Sequence, residues 1–471
     1  MFTRFIAILL AVFQVFLIPG ASILGRHRIV IDKTKEYQTF EEFGTSSCWW
    51  AQTIDDDETA REIARKLYSE EDGLGLKIFR YNVGGGEADN PDCRIWDKSR
   101  RTESFYVLNE ETGEYEYDFT RDANARRIMD YAVEYGAEKI ILFCNSPHFS
   151  MTKSGHASGG LEEYSSNLPR ENYKAFVDYL LTIADWFVAE GYPIYAISPI
   201  NEPQWSWGSP DWVGQEGCHY EPEEAVELLE MFATEMQKRN SPYKLSGPEN
   251  GQMNWGYYAY VEKFFESEIL NSFCDTYSGH SYWMDTATEE KAAVGKKFAE
   301  TYPDKKYEMS EWCELPLTID SKTIDSGLYM AQVIADDLNL MNAVSWQSWT
   351  AVNGDGLLDR DHEGKLFEYN RYYAFKHFTS FIKPGMTRVR IFDSKEKDTQ
   401  LKLTAFTGDE NETVLVIVNP DAEETLKIGG IIGDAEIYLT DETHNCEKIY
   451  KGKFEKDVTV PAKSIMTINI K

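Results

Sequence analysis

Between residues 40 and 381, short apolar runs alternate with longer amphipathic segments, and the alternation repeats eight times. No other feature restricts the fold as much. Parallel strands need a crossover between each pair, and eight β-then-α units in one run predict a (β/α)8 TIM barrel of the α/β class. The expected strands are 40–43, 76–81, 139–143, 194–200, 244–247, 276–280, 306–310 and 343–346. Among the expected helices, 55–68 opens with acidic residues, and 122–135 carries Ala, Ile, Met and Val at helical spacing. Segment 170–190 repeats apolar residues at i, i+3 and i+4 and is followed by Gly191; 221–238 and 327–340 behave alike. A doubly wound open sheet is the structural rival. It favours a Gly-rich phosphate turn after its first strand, whereas Gly84-Gly85-Gly86 lacks that spacing and leads into no clean helix.

After Pro384-Gly385 the pattern changes to β-rich runs at 387–392, 400–406, 413–418, 423–428, 435–439 and 464–470, parted by turn residues such as Gly408-Asp409 and Asn419-Pro420. These form a smaller all-β unit. Residues 27–31 are also β-like and precede the first barrel strand, so both chain ends can meet in one β-sandwich. The expected division is a signal peptide at 1–22, an N-terminal sandwich strand within 23–39, the catalytic barrel at 40–383 and the sandwich at 384–471.

The leader rests on Arg4, the nearly unbroken apolar run 5–18 and the small residues Pro19-Gly20-Ala21-Ser22. It predicts a secreted, extracellular protein, with no membrane association after cleavage. A net charge of -31 repels nucleic acid and anionic membrane surfaces, and favours a neutral partner. Seven scattered cysteines contain no CxxC pair, and the eight His residues no HExxH, so neither a metal nor another cofactor is expected. The odd cysteine count leaves at least one thiol unpaired, and Cys144 and Cys313 lie in apolar strand contexts. Asn411, in Asn-Glu-Thr, is a glycan acceptor only in a host that glycosylates.

Chemistry in a TIM barrel sits where strands end and βα loops begin. Two Glu residues stand there: Glu202 in Ser198-Pro199-Ile200-Asn201-Glu202-Pro203, and Glu311 in Ser310-Glu311-Trp312. An Asn-Glu pair closed by Pro is a poor strand interior and a good strand end. Two carboxylates at one sheet rim meet the requirement for cleaving a glycosidic bond, one as proton donor and one as nucleophile or base. Other strand ends deliver Arg80, His148, His280, Tyr282, Trp346 and Trp349. Each is a weak signal alone; their joint position around two Glu residues carries the argument.

These segments resemble glycoside hydrolase family 30. The resemblance runs through GTSSCWWA (44–51, including Trp50), RYNVGGG (80–86), SPINEP (198–203), QEGC (215–218), SEW (310–312) and YAFKHFTSFIKPG (373–385). The first, second and fourth are most like the endo-β-1,6-galactanase branch. The resemblance implies a retaining mechanism with Glu202 as acid/base and Glu311 as nucleophile. It implies Asn201 at the sugar 2-hydroxyl, Arg80 beside the nucleophile, His280 and Tyr282 lining the pocket, and Trp349 under the sugar. Glu87 is similar to an acidic residue gripping outer hydroxyls. His148 departs from the Trp of many members. A galactose site needs a partner for the axial 4-hydroxyl, for which Glu87, His148 and Glu216 are candidates; Glu216 is as readily a loop brace. The expected protein is a monomeric endo-glycosidase whose partner is a polysaccharide, β-1,6-galactan. Another retaining β-glycosidase (β-1,6-glucanase, xylanase or exo-acting) and an inactive carbohydrate-binding barrel are the alternatives.

Overall fold

The computed structural model describes residues 27–208, 213–409 and 412–471. The apolar leader and Asn411 lie outside the described residues. Among those described, no helix is long and apolar enough to cross a membrane. All seven cysteines are free thiols, and Cys144 and Cys313 are buried.

The barrel is a ring of parallel strands: Glu42–Ser46, Ile78–Asn82, Lys139–Phe143, Ile194–Ser198, a divided fifth strand, Thr276–His280, Lys306–Trp312 and Ala343–Ser348. The eighth strand pairs back onto the first through Ser345 and Glu42. The fifth strand comes in two pieces. Lys244–Leu245 pairs with the fourth strand and Pro248–Asn250 with the sixth, so the chain itself closes the ring. The sequence pattern placed the end of this strand at residue 247; the structure continues it past Pro248. Pro lacks an N–H and is tolerated at the first residue of a strand.

Alternation along each strand sorts the two faces. Phe79, Tyr81, Ile140, Leu142 and Ile197 face outward into the large core beneath the helices. Ile78, Ile141 and Ala196 pack together inside the ring as a small apolar layer. Arg80 and Ser198 follow Ile78 and Ala196 by two residues on the same inner face. Above the apolar layer, the barrel interior is therefore polar.

The helices follow the expected segments with shifts of a few residues. Asp57–Tyr68 starts at Asp56, whose side chain accepts from the Thr59 backbone N–H. Pro222–Arg239 opens with a reciprocal bond between Glu221 and Glu224 and closes on Asn240 in the left-handed region.

A second nine-stranded sheet makes the sandwich, and His27–Thr39 lies within it, antiparallel to Thr387–Asp393 and parallel to Glu424–Gly429. Two of its strands, Asn445–Lys453 and Asp457–Val460, escape the sequence pattern because charged residues dominate the first and only two apolar residues mark the second. The strand Thr413–Asn419 is buried along its whole length. Leu415 and Ile417 enter the sandwich core, while Val414, Val416 and Val418 join the barrel core. Two-sided burial explains the unbroken apolar run at this point. Each such side chain contributes about 1.5–3 kcal/mol by leaving water.

Candidate active site

A bulge in the seventh strand sets the geometry. The sixth and seventh strands run in register up to Gly279 opposite Met309, and then His280 lies opposite Glu311. The extra residue is Ser310. Strict alternation would turn Glu311 outward to the helices; one inserted residue brings both Ser310 and Glu311 to the inner face. Ser310 Oγ donates to Glu249 Oε2 at 2.5 Å, and Glu311 receives Arg80 Nη1 at 2.5 Å and the Tyr282 hydroxyl at 3.1 Å.

Glu202 reaches the same point from the fourth strand. Its backbone is in the left-handed region with φ 45°, a conformation that L side chains rarely adopt. Neighbours hold it there: its N–H donates to the Glu249 carbonyl, and its carbonyl accepts from the Trp207 indole, each at 2.9 Å. Such strain persists where surrounding structure over-determines it, and concentrates at functional sites. One carboxyl oxygen of Glu202, one of Glu311 and a His280 nitrogen all lie within 4.8 Å of one another. His280 Nδ1 stands 3.4 Å from Glu202 Oε1 and 3.5 Å from Glu311 Oε1.

A third carboxylate completes the cluster, and sequence reasoning missed it. Glu249, also left-handed at φ 57°, is held by Arg80 Nη2 at 3.1 Å, His280 Nε2 at 3.1 Å and Ser198 Oγ at 2.5 Å. Arg80 thus touches Glu249, Glu311 and the Asn201 side-chain oxygen, the last at 3.2 Å. Its guanidinium lies 3.8 Å from the Phe143 ring centroid and 5.7 Å from that of Trp349. The signal for Glu249 was a second polar strand exit, Pro248-Glu249-Asn250.

The electrostatics follow from burial against these partners. Burial opposes charge on Glu249, but Arg80, His280 and Ser198 outweigh it and hold the carboxyl down at about 2. Burial also opposes charge on His280; Glu311, Glu202 and Glu249 overcome it and lift the imidazole to about 9. Burial raises Glu311 above the ordinary carboxyl value and Glu202 adds to this, against the pull of His280 and Arg80. Glu202, His280 and Glu311 are the one group of the described residues spaced to hold a metal.

The remaining candidates divide. Trp349 lies 5.1 Å from Trp49, edge to face, and these rings wall a cleft of about 270 Å³ with Asp97, Arg100 and Asp355. Trp50 also lines that cleft, but its indole N–H is committed to the Ser46 carbonyl at 2.9 Å; the ring that meets Trp349 is its neighbour Trp49.

Three expected sugar contacts, Glu87, Glu216 and His148, are instead engaged by the protein's own loops. Glu216 is wholly buried and accepts from Thr102 Oγ1 at 2.5 Å and the Gly85 N–H at 3.0 Å; burial, with only neutral donors against it, raises it to about 8. Glu87 is also wholly buried and accepts from the Ala157 N–H at 2.6 Å. His148 is packed among Tyr106, Tyr115, Phe149 and Tyr179, bonds Ser150 at 2.8 Å, and is lowered by burial to about 4. All three brace the loops after strands two, three and four.

Known proteins resemble this chain. An endo-beta-1,6-galactanase from Hypocrea rufa is 24% identical over 430 residues, which span 84% of this chain and 82% of that protein. An exo-beta-1,6-galactobiohydrolase from Bifidobacterium longum is 24% identical over 230 residues, 36% of this chain and 15% of that protein. A conserved exported protein from Bacteroides fragilis shares the fold with a TM-score of 0.83 at 24% identity, over 94% of this chain and 100% of its own. The model of O-glycosyl hydrolase family 30 matches residues 26–359, and that of the family's beta sandwich domain matches residues 385–468. The chain belongs to glycoside hydrolase family 30.

Proposed function

We propose that this glycosidase is a retaining, secreted endo-enzyme that cleaves β-1,6-linked galactan. The observation that carries the mechanism is the spacing of Glu202 and Glu311, whose nearest carboxyl oxygens lie within 4.8 Å. Carboxyls at about 5–5.5 Å suit a covalent intermediate, whereas inverting enzymes keep about 6.5–9.5 Å to seat a water.

Charge balance divides the labour. Arg80 and His280 stand among three carboxyl groups, Glu202, Glu249 and Glu311. Glu249 is firmly ionised. Arg80 and Tyr282 both donate to Glu311, while among the described residues the Glu202 carboxyl has His280, at 3.4 Å, as its side-chain partner. The hydrogen bonds from Arg80 and Tyr282 favour negative charge on Glu311, which suits the nucleophile, and the acid/base role falls to Glu202 by its likeness to the family's strand-four carboxyl. In the first step Glu311 forms a bond to the anomeric carbon as the bond to the leaving oxygen breaks, and Glu202 passes its proton to that oxygen. Esterified Glu311 carries no charge. Glu202 then takes a proton from water, whose oxygen attacks the anomeric carbon and releases Glu311.

The sugar and the endo mode rest on likeness to the Hypocrea rufa enzyme and on the GTSSCWWA, RYNVGGG and QEGC segments. Export rests on the apolar leader. Product analysis on β-1,6-galactan, β-1,3-galactan, β-1,6-glucan and xylan tests the substrate. Galacto-oligosaccharides from β-1,6-galactan, with little release from xylan, are expected; equal rates on β-1,6-glucan would replace the assignment with a broader β-1,6-glycanase. NMR of the first product anomer tests retention, and an inverted anomer would refute the two-step route.

A further inference from the structure

Beside Glu202 stands a group that the two-step route does not use. Gln204 follows Glu202 by two residues and is only 3% exposed, yet neither its amide oxygen nor its amide nitrogen has a partner among the described residues. A buried amide left unpaired is costly and calls for an explanation. Its location supplies one. A Cβ placed on Gly251 would lie 2.5 Å from Gln204 Nε2, 2.5 Å from Glu202 Oε1 and 2.9 Å from Trp205 Nε1. The amide, the carboxyl and the indole therefore converge where only glycine leaves room.

A second observation points the same way. Trp283 is 49% exposed and sits at φ 55°, in the left-handed region. For a bulky residue this is a genuine outlier, and such strain is retained for use rather than for packing. Its ring meets Trp205 edge to face at 5.2 Å. Trp205 in turn lies 6.0 Å from Tyr257. Aromatic rings beside one unpaired amide are the composition of a small-molecule site: apolar faces for area, few polar groups for orientation.

We propose that Gln204, Trp205 and Trp283 form the subsite for the sugar on the leaving side of the scissile bond. Glu202 must face the bridging oxygen to protonate it, so groups packed around its carboxyl stand where they can meet the departing unit. The Gln204 amide offers one donor and one acceptor, which match two neighbouring hydroxyls. The indoles cover the C–H face of the same ring. This subsite selects a carbohydrate leaving group over any other alcohol, and it binds the acceptor when the glycosyl-enzyme is attacked by a sugar hydroxyl instead of water. The inference rests on Glu202 as the acid/base, but not on the identity of the sugar.

The test compares two leaving groups in Gln204→Leu and Trp283→Asn. Leu replaces the amide by an apolar side chain of similar size, and Asn tolerates the left-handed backbone. Both variants should therefore keep or raise the wild-type melting temperature, which reports folding. The substrates are a 4-nitrophenyl β-glycoside and the matching unmodified oligosaccharide, in whichever sugar series the wild type cleaves. We expect kcat/KM to fall about 10- to 100-fold more on the oligosaccharide than on the aryl glycoside, as for loss of hydrogen bonds to substrate. With added oligosaccharide acceptor, the ratio of transfer to hydrolysis should fall with it. An unchanged ratio between the two substrates, whether both fall together or neither falls, would overturn the subsite. An error in the sugar assignment appears in the wild-type substrate panel, and an error in the subsite only in the variants.

Discussion

Glu249 and Glu216 are both fully buried carboxyl groups at the loop end of the barrel, yet the first is held at about 2 and the second at about 8. Glu249 faces two cations, Arg80 and His280. Glu216 faces a threonine hydroxyl and a backbone N–H, and the nearby Glu87 carboxyl adds to its rise. Burial acts on both alike; what differs is whether charge or only dipoles oppose it. Position at the end of a strand therefore does not fix the charge of a buried carboxyl, and the company it keeps does.

The largest test of that contrast is Glu311→Gln. Turnover should fall by on the order of 10⁴-fold or more, because the covalent step is lost. Substrate affinity, read by calorimetric titration, should stay near wild type. Appreciable residual turnover would mean that the charged cluster is not the reacting one.

Arg80→Ala comes next. It leaves Glu249 and Glu311 buried without their shared cation, and removal of one partner from a buried pair costs about 3–5 kcal/mol. A urea melt should show that loss alongside a large fall in kcat. If stability is unchanged, Arg80 does not balance the cluster.

Glu249→Gln sharpens the comparison through pH. A carboxyl whose folded pKa is depressed adds stability above its ordinary value, about 4.5, and loses it as pH falls towards about 2. The wild type should lose stability across that window more steeply than the variant. Activity should fall on the order of 100-fold, because Arg80 and His280 lose the group that orients them. Parallel acid melts for the two proteins would count against this role.

The smallest effect is expected from Glu216→Gln. A carboxyl raised to about 8 favours the folded state fully below about 4.5, and that advantage drains away as pH rises from there to about 8. A neutral amide has no such dependence. Melting temperatures at pH 5 and pH 8 should converge for wild type and variant at the acid end and separate at the alkaline end, with kcat altered only a few-fold. A variant that loses most of its activity would return Glu216 to the sugar-binding site.

The sequence made the barrel legible because its strands are short, apolar and separated by amphipathic helices. It also exposed Glu202 and Glu311, whose polar strand exits interrupt apolar runs. Glu249 was hidden by Pro248, which reads as a terminator although the strand resumes through it. Glu87, Glu216 and His148 were over-read for the opposite reason: a loop position does not say which way a side chain turns. The same limit separates Trp49 from Trp50, since adjacent residues in a turn share a motif but not a direction. The bulge at Ser310 has no sequence signature, because its evidence is a pairing register with another strand.

The strand Thr413–Asn419 bears on a different property. Its valines belong to the barrel's large core beneath the helices and its Leu and Ile to the sandwich core. The two folds thus have a common wall rather than a wetted seam. Calorimetry should record a single endotherm, since neither part can melt without stripping the other of an apolar face. A truncated barrel would carry that face into water and self-associate. The sandwich in this chain therefore serves as the outer skin of the catalytic fold, and cannot be trimmed away as an accessory.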